Sequence, residues 1–342
     1  MTRSIDAAPA ATPGTALPIR QIFLTGASGY VGRNLIRHFT ARRIAVVALV
    51  RSPAAAALVT DLGATPIMGT LPDADLVAGM AGCDALIHAA ADTDHGFGSP
   101  SQHRINEAGT RAVFAAAAKA NIRAAVHLST ESVLADGRPL VRVTENHPLP
   151  RRPAGAYSAS KAKAERIALS ANSPEMRVVA VRPRAVWGRD DTTALPQLLA
   201  AQQSGQLAWI SGGTYLTSTT HIANLCHGVE LALIKGRGGA VYFLSDGDDL
   251  PFRDYVTGML ASQGLTAPDK TVPRPLLRLI AGISDLLHGL SGGRIKGPLT
   301  LQTYAASAVE ITLDISKARN ELGYAPVITR AEGLAEMASA KR

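Results

Sequence analysis

A tyrosine and a lysine stand four residues apart in the segment Tyr157-Ser-Ala-Ser-Lys161, a spacing that places a phenol and an ammonium on one face of a helix. A phenol can exchange a proton with the oxygen of an alcohol or ketone, but its ordinary pKa of about 10 is too high for efficient exchange near neutral pH. A neighbouring cation favours the phenolate by electrostatic attraction. We therefore expect Tyr157 to be an acid–base catalyst and Lys161 to activate it. Taken alone, the pattern is common and also fits an ordinary exposed helix.

A glycine-rich segment, Thr25-Gly-Ala-Ser-Gly-Tyr-Val-Gly32, follows an apolar run and opens a helical stretch. Gly26 permits a tight exit from the strand, Gly29 lets the backbone approach a pyrophosphate, and Gly32 lets the helix pack against the sheet. The N-terminus of that helix then faces the negative phosphates. Ser28 and Tyr30 are expected to line the phosphate site through backbone and side-chain donors, with Val31 beside them. The segment predicts a dinucleotide-binding turn, and Lys161 is then also expected to hold the ribose of the nicotinamide.

The residue at the end of the second strand selects between the two pyridine coenzymes. A carboxylate there binds the ribose 2′-hydroxyl and repels a 2′-phosphate, whereas an arginine accepts the phosphate. In this chain the strand stays apolar through Val50 and is followed by Arg51-Ser-Pro53, with no acid. We therefore prefer NADP and keep NAD as possible; the alternative for Arg51 is a surface cation that merely covers the adenine.

Short apolar runs alternate with helical stretches from Arg20 onward, which is typical of a parallel sheet with crossover helices. The predicted strands are Gln21–Thr25, Ala45–Val50, Thr65–Met68, Ala85–His88, 125–128 and 178–182, with a later one at 240–244. The main predicted helices are 31–42, 106–120, 157–172, 195–205, 221–233, 252–263 and 275–289. We predict an α/β fold: a doubly wound parallel sheet of the Rossmann type with a smaller C-terminal substrate-binding lobe.

The same pattern divides the chain. Residues 1–18 have no periodicity and little to bury, so we expect a disordered tail. The dinucleotide-binding domain is expected over 19–190, with a return of the chain to it at about 218–247. The substrate-binding lobe is expected to comprise 191–217 and 248–342.

Within that lobe, residues 275–289 form an amphipathic stretch. A position on a membrane surface is one interpretation, but Arg278 and Asp285 interrupt the stretch and it is short for a span. We prefer a lid or lobe helix that covers the substrate pocket.

Composition excludes several classes of protein. The chain has 342 residues, of which 46% are hydrophobic, so it can bury a full core. Its net charge of +8 is not gathered into a basic stripe, which argues against nucleic-acid binding. Cys83 and Cys226 lie in apolar stretches, so neither a disulfide framework nor a metal site is expected. No signal peptide and no uncharged 18-residue apolar run is found, and we expect a cytoplasmic protein without a membrane span.

The TGxxGxxG spacing of the turn, with the later Tyr157 and Lys161, resembles the extended branch of the short-chain dehydrogenase/reductase family. The segment 106–110, Asn-Glu-Ala-Gly-Thr, is similar to the family's helix carrying Asn and Gly-Thr. The resemblance implies that Ala89, Ala90 and Ala91 lie against the ribose of the coenzyme and that Pro183 and Val186 flank the nicotinamide. One departure is Gly69-Thr70, where many relatives carry Gly-Asp beside the adenine.

The resemblance also assigns the hydroxyl partner of the substrate. Relatives place a Ser or Thr three residues before the valine that is Val133 here, so Thr130 is expected to bind the substrate oxygen, with Ser129 as the close alternative. Dehydratases of the family carry Thr-Asp-Glu at this point, whereas this chain carries Thr-Glu-Ser at 130–132. Sugar dehydration is therefore disfavoured.

The C-terminal segments 217–224, 239–247 and 312–326 are similar to the branch containing 3β-hydroxysteroid dehydrogenases and dihydroflavonol reductases. The resemblance implies an enzyme that transfers a hydride between NADP(H) and a secondary alcohol or ketone of a fairly apolar small molecule. Two alternatives stay open: a nucleotide-sugar epimerase with tightly bound NAD, and a non-catalytic dinucleotide sensor. A homodimer is also possible.

Overall fold

Seven short apolar segments pair as one parallel sheet in the computed structural model, which describes residues 19–339. The strands are β1 (Gln21–Thr25), β2 (Ala45–Val50), β3 (Thr65–Met68), β4 (Ala85–His88), β5 (Ala124–Leu128), β6 (Arg177–Pro183) and β7 (Val241–Leu244). Their order across the sheet is β7-β6-β5-β4-β1-β2-β3. This sheet and its flanking helices confirm the predicted doubly wound α/β fold of the Rossmann type. The tail predicted for residues 1–18 lies outside the described residues.

The direction of the strand order reverses between β1 and β4. From β1 the chain runs to β2 and β3 on one side and then returns to β4 on the other. Thr25 at the end of β1 lies opposite His88 at the end of β4, and His88 lies opposite His127 in β5. The carboxyl ends of the three strands are therefore level with one another. A crevice outside the carboxyl ends at such a reversal is the usual ligand site of an open parallel sheet.

The central strands read as continuous apolar runs because their side chains are buried on both faces. Every residue of β4 is buried, as are four of the five residues of β1. One core cluster extends from Ile22 in β1 to Tyr304 and Leu322 near the C-terminal end of the chain. The C-terminal elements therefore share a hydrophobic core with the sheet.

Twelve α-helical segments lie within residues 19–339. Helices α1 to α6 are Tyr30–Thr40, Pro53–Asp61, Leu76–Gly79, Pro100–Gln102, Thr110–Lys119 and Ala156–Ser170. Helices α7 to α12 are Ala194–Gln203, Ile222–Lys235, Phe252–Ser262, Arg274–Leu290, Leu301–Ser307 and Arg330–Ser339. None of these helices is long and apolar enough to cross a membrane.

The helix predicted from residue 106 begins earlier and is less regular than expected. Residues His103–Gly109 are π-helical and join α4 to α5 without a break. A π turn carries one more residue than an α turn, is rare, and often marks a functional site. The apolar pattern of the sequence contains no sign of it, because the extra residue changes hydrogen bonding rather than hydrophobicity.

Short strands outside the main sheet join the C-terminal elements to it. A four-stranded sheet and two strand pairs are formed by Leu140–Val143, Val186–Trp187, Trp209–Ile210, Leu216–Thr217, Thr220–His221, Leu250–Pro251, Thr271–Val272 and Ile311–Leu313. Asn224 in α8 fastens this region: its amide donates to Asp246 at 2.8 Å and accepts from the N–H of Val327 at 2.7 Å. The C-terminal segment is thus tied to the sheet by hydrogen bonds as well as by the core.

A buried ion pair joins the helix α6 to the strand β6. Arg182 donates to Glu165 through two nitrogens, at 2.7 and 2.5 Å, and both side chains are about 5% exposed or less. The hydroxyl of Ser129 donates to the same carboxylate at 2.6 Å. Such a bidentate pair fixes both the position and the orientation of the helix on the sheet, because two parallel N–H groups of the guanidinium bond to the two oxygens of the carboxylate.

Removing one member of this pair is expected to be costly. The variant Glu165→Ala leaves the Arg182 charge buried without its partner, for which we expect a loss of about 3–5 kcal/mol in the free energy of unfolding, measured by urea denaturation. The control is Asp73→Ala, which breaks the exposed pair of Asp73 with Arg104 and should cost less than about 1 kcal/mol. Equal losses in the two variants would contradict the anchoring role.

Candidate active site

The glycine turn between β1 and α1 packs against the end of β4 with no room for side chains. Gly26 has a φ of +73°, and a Cβ there would lie 2.7 Å from the backbone carbon of Ala89 and the nitrogen of Ala90. A Cβ on Gly32 would lie 2.2 Å from the carbonyl oxygen of Gly26. Both contacts are with backbone, which cannot move aside cheaply. Glycine is therefore required at both positions: at Gly26 for the close approach of the turn to the end of β4, and at Gly32 for the close approach of α1 to the turn.

The N-terminus of α1 is open for an anion. Gly29 is the N-cap and supplies no side-chain acceptor, and the first turn of α1 contains no acidic residue. The first N–H groups of the helix therefore have no carboxylate acceptor from this turn, and no negative side chain there offsets the positive end of the helix dipole. Gly29 is exposed, and Ser28 and Val31 are half-buried beside it. These features fit the pyrophosphate of a dinucleotide.

Tyr30 does not contribute the side-chain donor that we expected from it. Its ring belongs to the core, and its hydroxyl has no hydrogen-bond partner among the described residues. Burial, followed by the nearby charge of Asp191, raises the pKa of this phenol well above its usual value. Only the backbone of Tyr30, as the first residue of α1, is left for the phosphate site.

A chain of buried hydrogen bonds crosses from the glycine turn to the helix 100–119. The N–H of Ala90 donates to the Thr25 hydroxyl at 3.2 Å, and this hydroxyl lies 2.7 Å from Nδ1 of His88. On the other side, Nε2 of His88 lies 2.9 Å from the hydroxyl of Thr110, which donates to the carbonyl of Asn106 at 2.6 Å. Since Thr110 uses its proton on Asn106, Nε2 must donate to Thr110 and Nδ1 must accept from Thr25.

This arrangement holds His88 as a neutral imidazole. Burial, with a smaller effect from the Lys161 charge, lowers the pKa of His88 to about 3. Burial also lowers the pKa of the neighbouring His127, whose ring centroid lies 5.3 Å from that of His88. Neither histidine is therefore a proton carrier at neutral pH.

Asn106, in the π-helical turn, clamps the segment after β4 to the helix α6. Its amide oxygen accepts from the N–H of Asp92 at 2.8 Å, and its amide nitrogen donates to the carbonyl of Asp92 and to the hydroxyl of Ser160, each at 3.0 Å. Ser160 in turn donates to the carbonyl of Tyr157 at 2.9 Å. Residues 89–91, half-buried at the end of β4, are thus held close to the helix that carries Tyr157 and Lys161.

Tyr157 is buried in the first turn of α6. Its ring centroid is 4.4 Å from that of His95, which lies in the loop after β4. Burial and then the charge of Glu131 raise the pKa of Tyr157, an effect that the hydroxyl of Thr130 partly offsets. The phenol is therefore protonated at neutral pH in this structure.

Lys161 lies one turn further along α6, also buried. Its ammonium donates to the carbonyl of Leu128, at the end of β5, at 2.7 Å. Burial lowers its pKa to about 8, and the charge of Glu165 acts in the opposite direction. Burial and the charge of Glu131 are the causes of the raised pKa of Tyr157, and the Lys161 ammonium is directed to Leu128. The activation of Tyr157 by Lys161 stays a prediction.

The two candidate hydroxyl groups, those of Ser129 and Thr130, have different hydrogen-bond partners. Ser129 donates to Glu165 and so belongs to the buried ion pair behind the helix. Thr130 faces Tyr157, caps the short 3₁₀ helix Glu131–Leu134, and donates to Glu131 at 2.8 Å. The geometry therefore brings Thr130, rather than Ser129, to the phenol.

Sequence reasoning missed the role of Glu131 and the position of His95. Glu131 is buried and paired with Arg184 at 2.6 Å, and Arg184 is held further by Thr217 at 3.1 Å. The acid at position 131 in the Thr-Glu-Ser segment is the sequence signal for a carboxylate beside Thr130, but the segment does not show that Glu131 is buried against an arginine. His95 lies in a loop without a motif, and nothing in the sequence places it over Tyr157.

The remaining predicted contacts lie around the same edge of the sheet. Pro183 ends β6 and is buried, while Val186 is half-buried in a short strand that pairs with Thr220–His221. Arg51 follows β2 and is exposed; no described residue pairs with its guanidinium. Among residues 19–339 no group of three His, Cys, Asp or Glu side chains is placed to hold a metal ion.

Comparison with known proteins identifies relatives along nearly the whole chain. The family model described as the NAD dependent epimerase/dehydratase family matches residues 22–244. A 4-hydroxy-2-methyl-3-oxo-4-farnesyl-3,4-dihydroquinoline-1-oxide ketoreductase of Stigmatella aurantiaca is 48% identical over 91% of this chain and 94% of its own length. A 2-alkyl-3-oxoalkanoate reductase of Stenotrophomonas maltophilia (strain K279a) is 32% identical over 92% of this chain and 97% of its own length.

Two solved structures share the fold. The crystal structure of gox2253 covers 94% of this chain and 99% of its own, with a TM-score of 0.76 and 26% identity. MoeE5 in complex with UDP-glucuronic acid and NAD covers 94% of this chain and 99% of its own, with a TM-score of 0.73 and 24% identity. At that identity the second likeness is evidence for the fold alone.

The buried state of His88 predicts a dependence of stability on pH. Between about pH 6.5 and 3 the unfolded chain takes up a proton that folded His88 excludes, so the free energy of unfolding should fall as the pH falls through this range. One such group contributes a slope of up to about 1.4 kcal/mol per pH unit. His88→Gln, which keeps one donor and one acceptor, should reduce the slope measured by urea denaturation at a series of pH values.

The control for this experiment is His147→Gln, at an exposed position, which should leave the slope as in the parent protein. Residual slope in the His88 variant is expected from His127, whose pKa is lowered in the same direction. An unchanged slope in His88→Gln would mean that the imidazole is accessible to protons in the folded state.

Proposed function

This chain belongs to the NAD dependent epimerase/dehydratase family, an extended short-chain dehydrogenase/reductase group, and we propose that it catalyses reversible hydride transfer between NADP(H) and a secondary alcohol or ketone. It is an NAD(P)-dependent dehydrogenase or reductase. The proposed substrate is a fairly apolar small molecule, and Tyr157 is the proposed acid–base group.

The observation that carries the proposal is the position of Tyr157: its phenol is buried beside Thr130, and Lys161 lies one turn further along α6. Reduction of a ketone needs a proton on the oxygen as the hydride arrives at the carbon. Tyr157 holds a proton at neutral pH, and because burial raises its pKa, a nearby positive charge such as that of Lys161 is needed to favour the transfer of that proton. Tyr157 therefore acts as the general acid in the direction of ketone reduction, and as the base in the reverse direction.

Thr130 and Lys161 act on either side of this phenol. Thr130 donates its proton to Glu131, so its hydroxyl oxygen is left to accept a hydrogen bond from the phenol of Tyr157 or from the hydroxyl of an alcohol substrate. Lys161, fixed on the carbonyl of Leu128, places a positive charge behind the reacting centre and toward the coenzyme ribose. Ser129 supports the site indirectly by holding Glu165.

The coenzyme, when bound, supplies or accepts the hydride. The open N-terminus of α1 and the glycines at 26, 29 and 32 are proposed to hold its pyrophosphate. The small residues 89–91 at the end of β4 are proposed to lie against its ribose, and Pro183 and Val186 would border its nicotinamide. The preference for NADP is supported by Arg51, because no acidic residue lies in the first turn of α2 that follows it.

The substrate class is supported by the names of the relatives. One relative's name contains a farnesyl quinoline ketone, and another's contains an alkyl oxoalkanoate. A third, from Dictyostelium discoideum, is a sterol-4-alpha-carboxylate 3-dehydrogenase, 29% identical over 93% of this chain and 100% of its own length. Each name joins a carbonyl or alcohol to an apolar group. We therefore favour an apolar ketone over a nucleotide sugar.

Replacing the phenol tests the proposal. Tyr157→Phe removes the proton donor while keeping the ring, so kcat should fall on the order of 100- to 10,000-fold, measured by the absorbance of NADPH with a panel of apolar ketones. Binding of NADPH, measured by fluorescence titration, should be retained. The control is Tyr324→Phe, which removes a buried phenol bonded to the carbonyl of Ser245 at 2.9 Å and should leave turnover near that of the parent.

If kcat falls only a few fold in Tyr157→Phe, another group supplies the proton. Turnover of a nucleotide sugar without added coenzyme, together with NAD released on denaturation, would favour the epimerase instead. Binding of NADPH with no turnover of any ketone would favour a dinucleotide sensor.

The coenzyme preference is tested at the end of β2. Arg51→Asp replaces a cation by a carboxylate, and because a charged hydrogen bond is worth about 1.5–3 kcal/mol the ratio of kcat/KM for NADPH over NADH should fall about 10- to 100-fold. The matched control is Arg43→Asp, which makes the same charge change at another exposed position. An equal fall in both variants would indicate a general electrostatic effect rather than a contact with the 2′-phosphate.

A further inference from the structure

Helix α10, Arg274–Leu290, leaves its apolar face in contact with solvent. Only Ala281 and Ser284 are buried, and they lie on the side that packs against the protein. Six large apolar side chains are 41–77% exposed: Leu276, Leu279, Ile283, Leu286, Leu287 and Leu290. Five of the six follow spacings of three or four residues and so form one continuous stripe. An amphipathic helix normally turns such a stripe toward the core, so its exposure indicates a binding surface.

The surroundings of this stripe are cationic. Arg278 is exposed on the helix, and Arg294 and Lys296 are exposed just after it; no described residue forms an ion pair with any of the three. Asp285 is the only acidic residue between positions 270 and 299, and it is half-buried and accepts from the N–H of Leu301 at 3.1 Å. The exposed charged side chains between positions 270 and 299 are therefore all positive.

We infer that α10 binds in the plane of a lipid bilayer that carries anionic head groups. Exposed leucines with arginine and lysine at their margin are the composition of helices that lie at a membrane interface. A second copy of the chain is a poorer occupant, because two such faces packed together would bring cations against cations. Helix α10 has 17 residues, too few to span a bilayer, so it lies on the surface.

The same helix is coupled to the loop over the proposed catalytic tyrosine. The ring of His288 stacks on Phe97, with centroids 4.3 Å apart, and Phe97 is two residues after His95. Thr300, in the segment after α10, donates to the carbonyl of His95 at 3.0 Å, and the His95 ring contacts Tyr157. Helix α10 and the loop over Tyr157 are therefore in direct contact, so binding of α10 to a bilayer would bring the proposed active site close to an apolar ketone dissolved there. That consequence rests on the proposed function; the surface itself does not.

Vesicle flotation tests the inference with the full chain. We compare vesicles of phosphatidylcholine alone with vesicles containing about 30% phosphatidylglycerol, and expect binding to the anionic vesicles to be at least on the order of tenfold tighter and to weaken in about 0.5 M salt. The variant Leu279→Glu/Leu286→Glu should reduce binding to anionic vesicles on the order of tenfold or more. Both positions are 60% exposed, so folding should be unaffected.

The matched control is Val141→Glu/Val327→Glu, at apolar positions 57% and 58% exposed on other parts of the surface, and it should bind like the parent. The inference fails if the parent does not bind anionic vesicles, or if both double variants bind equally. It also fails if the parent does not bind vesicles and is a dimer on size exclusion, while the α10 variant is a monomer. That result would make this face a contact between two copies of the chain. Tyr157→Phe should still bind vesicles, so a failure of the proposed reaction and a failure of this surface are distinguished.

Discussion

The chain of hydrogen bonds through His88 is the constraint on which the rest of the site depends. It runs in one direction only: from the N–H of Ala90 through Thr25 and His88 to Thr110 and the carbonyl of Asn106. Every donor in it has an acceptor, and burial excludes water, so each group is fixed in orientation as well as in position. The end of β1, the end of β4 and the helix 100–119 are thereby held in one geometry, and the glycine turn and the helix α6 both depend on it.

The two buried acids near Tyr157 are each paired with an arginine. Glu131 is neutralised by Arg184, and Glu165 by Arg182, each within the buried interior. A buried charge without a partner would cost several kcal/mol, so each acid requires its arginine. Lys161 stands apart because it has only the carbonyl of Leu128 as a direct partner and the field of Glu165 nearby. Lys161 is therefore the charged group of the site with no direct ion-pair partner among the described residues, which is a suitable property for a cation that binds an anionic ligand.

The sequence predicted those parts of the molecule that depend on local patterns. All seven strands of the main sheet appear within one or two residues of their predicted bounds, because buried parallel strands are continuous apolar runs between turn residues. The turn at 25–32 and the placement of Tyr157 and Lys161 in one helix followed from spacing alone. What the sequence could not provide were contacts made by tertiary structure: His95 over Tyr157, the burial of the Tyr30 hydroxyl, and the charge of Glu131 that raises the pKa of the phenol. The periodicity of a sequence indicates which face of a helix or strand is buried, but not which polar groups contact one another.

The loop between β4 and the helix 100–119 is anchored at both ends and is also held between them. Asn106 holds Asp92 by both its N–H and its carbonyl, and Ser99 accepts from the N–H of Gln102 at 3.3 Å as the helix begins. Between these anchors the ring of His95 contacts Tyr157 and the ring of Phe97 stacks on His288. Divergence of this short stretch would therefore alter the surroundings of Tyr157 and the packing of α10 together, with Gly98 kept, since a Cβ there would lie 2.5 Å from that of Ala156.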